Sequence, residues 1–303
     1  MKMGKNTKHK KKNRQYHKKT HKRDYKKPHC APSSKNINTM TCYTDDKLLK
    51  MRNYWNSRHP DAKISTKEPH KIWKQLRLNM KHICNTEKCW LNQSFIKETG
   101  DNELLNYTFA PDSPRSWNKN PNEWLTSTDI ENVMSQYERA YPCFRFLGPS
   151  PIDFDKKTSP KKCVWDELCK FDIDTFLHKG CNKIGIIFNT DPHYKSGSHW
   201  ISVFINIKKG YIYFFDSVGD PVPKEIDIFM KRVMKQCSDK GIHIQRFDNK
   251  KRHQRSNTEC GMYSLYFIIQ SIKDVHPEEK MKERVPDEEM ERFRKIYFTP
   301  SEN

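Results

Sequence analysis

Residues 260–272 read CGMYSLYFIIQSI, a run that is apolar almost all the way round, and a helix of that kind belongs in the middle of a folded domain. The sequence supplies strands to cover it. Ile184–Thr190 (IGIIFNT) is short, β-branched and apolar. His199–Ile207 (HWISVFINI) alternates, with Ile201, Val203, Ile205 and Ile207 on one face. After Lys208-Lys209-Gly210, the run Tyr211–Asp216 (YIYFFD) turns back as the second arm of a hairpin. Glu225–Cys237 has the spacing of an amphipathic helix, and His243–Phe247 reads as another short strand. Pro286–Phe298 opens with Pro and acidic residues, the chemistry of a helix start. The fold class is therefore α+β: a central mixed β-sheet packed on the buried helix that begins at Cys260, with a helical extension on the N-terminal side.

Upstream, the texture is different. Over 303 residues the net charge is +20 and apolar residues make up 34%, below the roughly 45–50% of an average globular chain. Much of that imbalance is local. Residues 1–30 hold eleven Lys and two Arg against one Asp, a net +12, which leaves +8 for the other 273. Such a segment has almost nothing to bury against its chain entropy, so residues 1–45 are expected to form a disordered basic tail. Ile72, Leu76, Met80 and Ile83 recur at helical spacing beside Trp73 and Trp90, giving a helical accessory region over 46–121 that ends in the turn-rich Phe109–Pro121 (FAPDSPRSWNKNP), a linker or an ordered loop. A second domain, 122–303, opens with WLTSTDIENVMSQYERAY, where Ser127 or Thr128 can cap a helix striped by Ile130, Val133, Met134 and Tyr137. No run approaches the ~18–20 apolar residues of a membrane-spanning helix, and none follows the basic N-terminus as a signal peptide would require, so neither a membrane partner nor secretion is expected. The ten cysteines are irregularly spaced and read as free thiols of a reducing compartment. Only Cys84–Cys89 and Cys163–Cys169 are near pairs, with no second ligand pair for zinc, so no metal and no organic cofactor is expected.

Four residues at element ends carry the chemistry. Cys260 follows Ser256-Asn257-Thr258, good capping residues, and starts the buried helix, where the dipole and unpaired N–H groups favour a nucleophilic thiolate. Gly261 beside it would let a substrate backbone approach. His199 sits at a strand start behind the flexible Lys195-Ser196-Gly197-Ser198. The hairpin returns Asp216, seventeen residues on, close to His199, where a carboxylate can fix the imidazole's tautomer. Gln254, six residues before Cys260, offers an amide donor to a developing oxyanion. Each has a plainer role when taken alone: an inert buried cysteine, a hydrogen-bonded surface histidine, a turn aspartate and a solvated loop glutamine. The conjunction is what points to catalysis.

That conjunction, His199-Trp200, Asp216-Ser217 and Gln254-x5-Cys260-Gly261, resembles the cysteine peptidase clan of the adenoviral protease and the SUMO-deconjugating proteases. HQRSNTECG, NTDPHYKSGSHW and PDEEMERFRKIYF resemble most the polyprotein-processing proteases of African swine fever virus and related large DNA viruses. The resemblance covers about 122–303, is limited over 46–106 to the Cys84–Cys89 pair, and is absent from 1–40. It implies that Cys260 is the nucleophile, His199 the general base and acid, Asp216 its orienter and Gln254 the oxyanion donor. It also implies a clamp of two tryptophans, Trp200 and the Trp124 of a Trp-Leu pair, leaving room for glycine but not for a side chain. Glu259 stands where the deconjugases usually carry Asp, as in the African swine fever virus type. Asp216 stands where that viral type has an amide.

The reading that follows is a thiol endopeptidase cleaving after Gly-Gly in viral precursor proteins during virion maturation, in the virion and the host cytoplasm, with nuclear entry open to the basic tail. Its partners would be a protein with a Gly-Gly-X site and, through the tail, DNA or RNA bound without sequence preference. Two alternatives use the same sequence. One is a deconjugase of a host ubiquitin-like modifier; the other is a basic nucleic-acid-binding virion protein on an inactive protease fold.

Overall fold

The computed structural model describes residues 29–34 and 41–300, so most of the basic tail lies outside the described residues. The accessory region contains α1 (Asp45–Arg58), α2 (Pro69–Met80), α3 (Ser94–Lys97) and α4 (Asn102–Asn106). These pack their own core, which includes Leu48, Met51, Trp55, Ile72, Leu76, Trp90 and Phe95. The rest of the chain runs α5 (Ser127–Ala140), β1 (Phe144–Phe146), β2 (Ser150–Pro151), β3 (Lys157–Ser159), β4 (Lys162–Cys163), α6 (Asp166–Cys169), α7 (Ile173–His178), β5 (Lys183–Asn189), β6 (Trp200–Asn206), β7 (Tyr211–Phe215), α8 (Lys224–Ser238), β8 (Gln245–Asp248), α9 (Cys260–Ile272), α10 (Pro277–Lys280) and α11 (Asp287–Tyr297).

The sheet is mixed, in the order β1-β5-β6-β7-β8, with β2 also on β5. β5, β6 and β7 are antiparallel neighbours, whereas β1 and β2 join β5, and β8 joins β7, in parallel. Every residue of β6 is buried, because both faces of the sheet are covered. Ile201, Val203, Ile205 and Ile207 point into a layer with Phe229, Met230 and Val233 of α8. Trp200 and Phe204 point the other way, into the layer formed with α9, α5 and α11. The expected α+β architecture around a buried α9 is therefore present. Gly185 on β5 makes the approach of α9 close, since a Cβ there would lie 2.9 Å from Ile268 and 3.0 Å from Phe144.

Several local expectations need correction. Part of the segment 1–45 is ordered: Cys30 is disulfide-bonded to Cys42, the N–H of Ala31 donates to Thr108 O at 3.0 Å, and that of Ala110 to His29 O at 2.7 Å. The thiols are not all free. Cys84–Cys89 and Cys163–Cys169 are also bonded, leaving Cys143, Cys181, Cys237 and Cys260 free. Each bond closes a loop of only 5 to 12 residues, so local chain geometry brings the partners together whatever the overall spacing. α2 ends at Met80, and Ile83, expected on its buried stripe, is 69% exposed. The cap of α5 is Thr126, in a reciprocal capping box with Asp129, rather than Ser127 or Thr128.

Phe109–Pro121 is an ordered connection. Gln136 of α5 donates through Nε2 to Asn106 O and Phe109 O, both at 2.9 Å. At the other end of the chain, the N–H of Thr299 donates to Pro111 O, and that of Ser113 to Thr299 O, both at 2.8 Å. Accessory region, connection, α5 and the segment after α11 are thus tied together. No helix among the described residues is long and apolar enough to cross a membrane.

Candidate active site

His199 closes the loop before β6, and Asp216 follows the last residue of β7. The register pairs Ser202 with Phe215 and Asn206 with Tyr211, so the two strand ends lie side by side. His199 Nε2 meets Asp216 Oδ1 at 2.7 Å. The carboxylate is buried and also accepts from the N–H groups of Val218 at 3.0 Å and Asp220 at 3.3 Å, which hold it in the turn. With Nε2 occupied, Nδ1 is the nitrogen left for the hydrogen bond between His199 and Cys260. Burial works against the charged imidazole, but the hydrogen bonds to Asp216 and Cys260 and the negative charges of both outweigh it, so His199 is pushed up to about 10. The imidazolium is therefore the resting form at neutral pH.

Cys260 is the first residue of α9 and is buried, with its sulfur at the positive end of a 13-residue helix dipole. Gly261 has a different purpose from the one expected. A Cβ there would meet Leu125 Cβ at 3.0 Å, so the missing side chain makes room for Leu125 packed against the start of α9, and that face is already occupied by the protein.

Gln254 is buried in the loop leading to α9. Its Oε1 accepts from Ser217 Oγ at 2.7 Å, and its Nε2 donates to Ser256 O at 2.8 Å. An amide nitrogen carries two hydrogens, and the second has no acceptor among the described residues. The loop is clamped from both sides. Ser217 O accepts the N–H groups of His253 and Gln254, each at 2.9 Å. Asp287, at the start of α11, accepts from the N–H groups of Arg255 at 3.1 Å and Ser256 at 3.3 Å. His253 is wholly buried, and its Nδ1 accepts from the N–H of Val285 at 3.1 Å. Burial first, then the charges of Lys251 and Arg284, push it down to about 4, so it serves as a neutral anchor.

The two tryptophans occupy different environments. Trp200 is buried at the head of β6, and its Nε1–H donates to Leu125 O at 2.9 Å, fixing the backbone just before α5. Trp124, the neighbouring residue, is 42% exposed. The rings do not stack on each other; the connection between them is the Leu125 backbone.

Sequence reasoning missed the support around this cluster. Glu259, directly before Cys260, is 1% exposed and paired with Arg294 of α11, which is 4% exposed, with Nε 2.9 Å from Oε2. The Arg294 guanidinium lies 4.5 Å from the centre of the Trp117 ring. Asn249 Nδ2 donates to Asp216 O at 2.6 Å, tying the aspartate turn to the end of β8. In the sequence, Glu259 stands out where the deconjugases usually carry Asp, and Arg294 lies in the acidic-then-basic run opening at Pro286, but nothing there pairs the two.

A thiol beside a charged imidazole, a carboxylate behind the imidazole, and an amide with a spare hydrogen together have the parts for nucleophilic acyl transfer. Residues 156–303 match the Ulp1 protease family, C-terminal catalytic domain. The chain is 28% identical to a protein of Acanthamoeba polyphaga mimivirus named as a thiol protease, over 89% of this chain and 92% of that one. It is 26% identical to a SUMO-1 cysteine protease of African swine fever virus, over 71% of this chain and 83% of that one. The fold is similar to a crystal structure of the African swine fever virus protease, with a TM-score of 0.66 at 23% identity, covering 91% of this chain and 97% of that one.

Proposed function

We propose that the chain, a cysteine-type peptidase whose residues 156–303 match the Ulp1 protease family, C-terminal catalytic domain, is an endopeptidase cleaving after Gly-Gly in precursor proteins of a large DNA virus. The observation that carries this reading is the Cys260–His199–Asp216 relay, with the imidazole held charged up to about 10. The presence together of Cys260, His199, Asp216 and Gln254 argues against a basic virion protein on an inactive protease fold.

In the proposed reaction, the Cys260 thiolate attacks the scissile carbonyl carbon. The developing oxyanion takes the free hydrogen of Gln254 Nε2 and the N–H of Cys260, and the C–N bond breaks as His199 Nδ1–H gives its proton to the leaving amine. This leaves a thioester. Neutral His199 then takes a proton from water as the water attacks the thioester carbon, and the thiolate leaves, restoring the ion pair and releasing a carboxylate. Asp216, bonded to Nε2 throughout, keeps Nδ1 on the sulfur side.

Specificity for glycine is assigned to Trp124 and Trp200. Supporting it, Trp200 pins the Leu125 backbone at 2.9 Å and Trp124 stands exposed beside it, so a substrate tail would pass between an anchored ring and an open one. A side chain on either residue before the scissile bond would not fit such a slot. A second reading is favoured by the name of the African swine fever virus relative: a deconjugase of a SUMO-like modifier. The accessory region, bonded to α5 and to the chain end, favours the precursor-processing role, because cleavage of a modifier tail gains little from it. The basic tail is assigned to nucleic acid, since residues 1–30 carry a net +12 that would release counterions from a phosphate backbone. That fits action in the virion and the host cytoplasm. Incubation with a panel of Gly-Gly-X peptides beside a ubiquitin-like fusion tests the assignment. Cleavage of Gly-Gly-X peptides and not of Ala-Ala-X supports it, and cleavage of the fusion alone replaces it with the deconjugase.

A further inference from the structure

The oxyanion amide and the general base are held by consecutive residues of one turn. Asp216 takes His199 Nε2 at 2.7 Å; Ser217, the next residue, gives its hydroxyl to Gln254 Oε1 at 2.7 Å. The Ser217 carbonyl also accepts the backbone N–H of Gln254 at 2.9 Å, so the glutamine is gripped at both its main chain and its side chain. The turn is itself fixed by the Asp216 carboxylate and by Asn249.

We infer that Ser217 is a positioning residue for the oxyanion donor: the Ser256 carbonyl, which can only accept, selects the orientation of the Gln254 amide, and the Ser217 hydroxyl anchors Oε1 so that Nε2 stays towards the reacting carbonyl. The inference rests on Gln254 acting as that donor. The oxygen and nitrogen ends of an amide have nearly the same shape, so only hydrogen-bond partners distinguish the two orientations. In the observed one, Oε1 receives a hydroxyl hydrogen and Nε2 donates to Ser256 O at 2.8 Å. The flipped amide would set oxygen against the Ser256 carbonyl, and an acceptor rather than a donor would face the oxyanion. Ser217 is 1% exposed, so bulk water does not replace the hydroxyl if it is removed. Without it Oε1 is buried with no donor, and the side-chain amide is anchored through the Ser256 carbonyl alone.

The test is a cycle of Ser217→Ala, Gln254→Ala and the double variant in the full chain, read as kcat and KM on a Gly-Gly-X peptide. Beside it, the rate at which iodoacetamide alkylates Cys260 is measured, a displacement at saturated carbon that forms no oxyanion. Removing one oxyanion donor costs about 10²–10³ in kcat, which sets the scale for Gln254→Ala. Ser217→Ala is expected to cost about ten- to fifty-fold in kcat, with KM within twofold and alkylation at the wild-type rate. The double variant is expected to be no slower than Gln254→Ala alone. If Ser217→Ala does not fold, Ser217→Cys fills nearly the same space with a weak donor, and its deficit should vanish in the Gln254→Ala background. Multiplying losses in the double variant, an equal slowing of alkylation, or wild-type kcat for the Ser217 variants would each overturn the inference. Wild-type kcat for Gln254→Ala would remove the underlying role of the glutamine, and the inference with it.

Discussion

Replacing Arg294 by Leu should destabilise the fold and silence the site from a distance. Arg294 and Glu259 are 4% and 1% exposed, so neither charge has water to fall back on. An exposed ion pair contributes about 0–1 kcal/mol, but removing one partner of a buried pair costs about 3–5 kcal/mol, because the remaining charge is stranded. Loss of the guanidinium over Trp117, at 4.5 Å, adds to this. At about 2–4 °C per kcal/mol for a domain of this size, the melting temperature should fall by about 6–20 °C. The pH dependence distinguishes this cause from simple loss of packing. Burial raises the Glu259 carboxyl, and the Arg294 hydrogen bond and charge act against that rise. An acid raised in the folded state favours folding below its unfolded value, near 4.5, and that contribution is lost as pH rises through the folded value. Without Arg294 the folded value climbs further, so the deficit of the variant should be largest at pH 7–8 and shrink towards pH 5. Adding Glu259→Gln should recover part of it. Thermal melts from pH 5 to 8 provide the assay. A deficit under 1 kcal/mol, or one independent of pH, would refute the reasoning.

Three further outcomes follow from the site and a fourth from the basic tail. His199 is raised from its ordinary value near 6.5 to about 10, so its stabilising contribution is complete below 6.5 and is lost as pH rises through 10; kcat/KM should hold to about pH 9 and fall beyond it. Asp216→Asn should move that alkaline limb to lower pH while costing less than His199→Ala, because an amide can still orient the ring; losses of equal size would upset the ranking. Trp124→Ala should lower kcat/KM on Gly-Gly-X peptides and narrow the gap between Gly-Gly and Ala-Ala substrates, and an unchanged gap would remove the clamp. Deleting residues 1–28 should abolish most DNA binding in gel shifts at low salt and leave peptide cleavage intact, whereas identical, salt-insensitive binding by both chains would clear the tail of that role.

The parts of the fold that depend on periodicity were legible in the sequence. The alternation of Ile201, Val203, Ile205 and Ile207 marks one sheet face, and the apolar girth of residues 260–272 marks the buried helix, because both patterns record burial directly. His199 and Asp216 were placed by the hairpin, whose register follows from strand length and turn position. What stayed hidden depends on contacts between distant segments. Arg294 sits in an amphipathic helix among solvated charges, and nothing in that helix says its side chain reaches Glu259, 35 residues away. Ser217 reads as an ordinary turn serine until Gln254 is seen against it. Gly261 looked open to substrate because sequence order gives no hint that Leu125 fills the space. The near pairs Cys84–Cys89 and Cys163–Cys169 are visible in the sequence, but their bonding depends on the conformation of the short loops between them, which spacing alone does not reveal.

The central claim is that Cys260, activated by His199, is the nucleophile of a peptidase. It is tested most directly by mass spectrometry of the full chain mixed with a Gly-Gly peptide aldehyde, run in parallel with hydrolysis of a Gly-Gly-X peptide by wild type, Cys260→Ala and Cys237→Ser. Cys237 is a second buried free thiol, raised by its burial, and serves as the control. One adduct per chain is expected, mapped to Cys260, with hydrolysis and adduct both absent from Cys260→Ala and both intact in Cys237→Ser. Hydrolysis that survives in Cys260→Ala, or an adduct carried by any other cysteine, would contradict it.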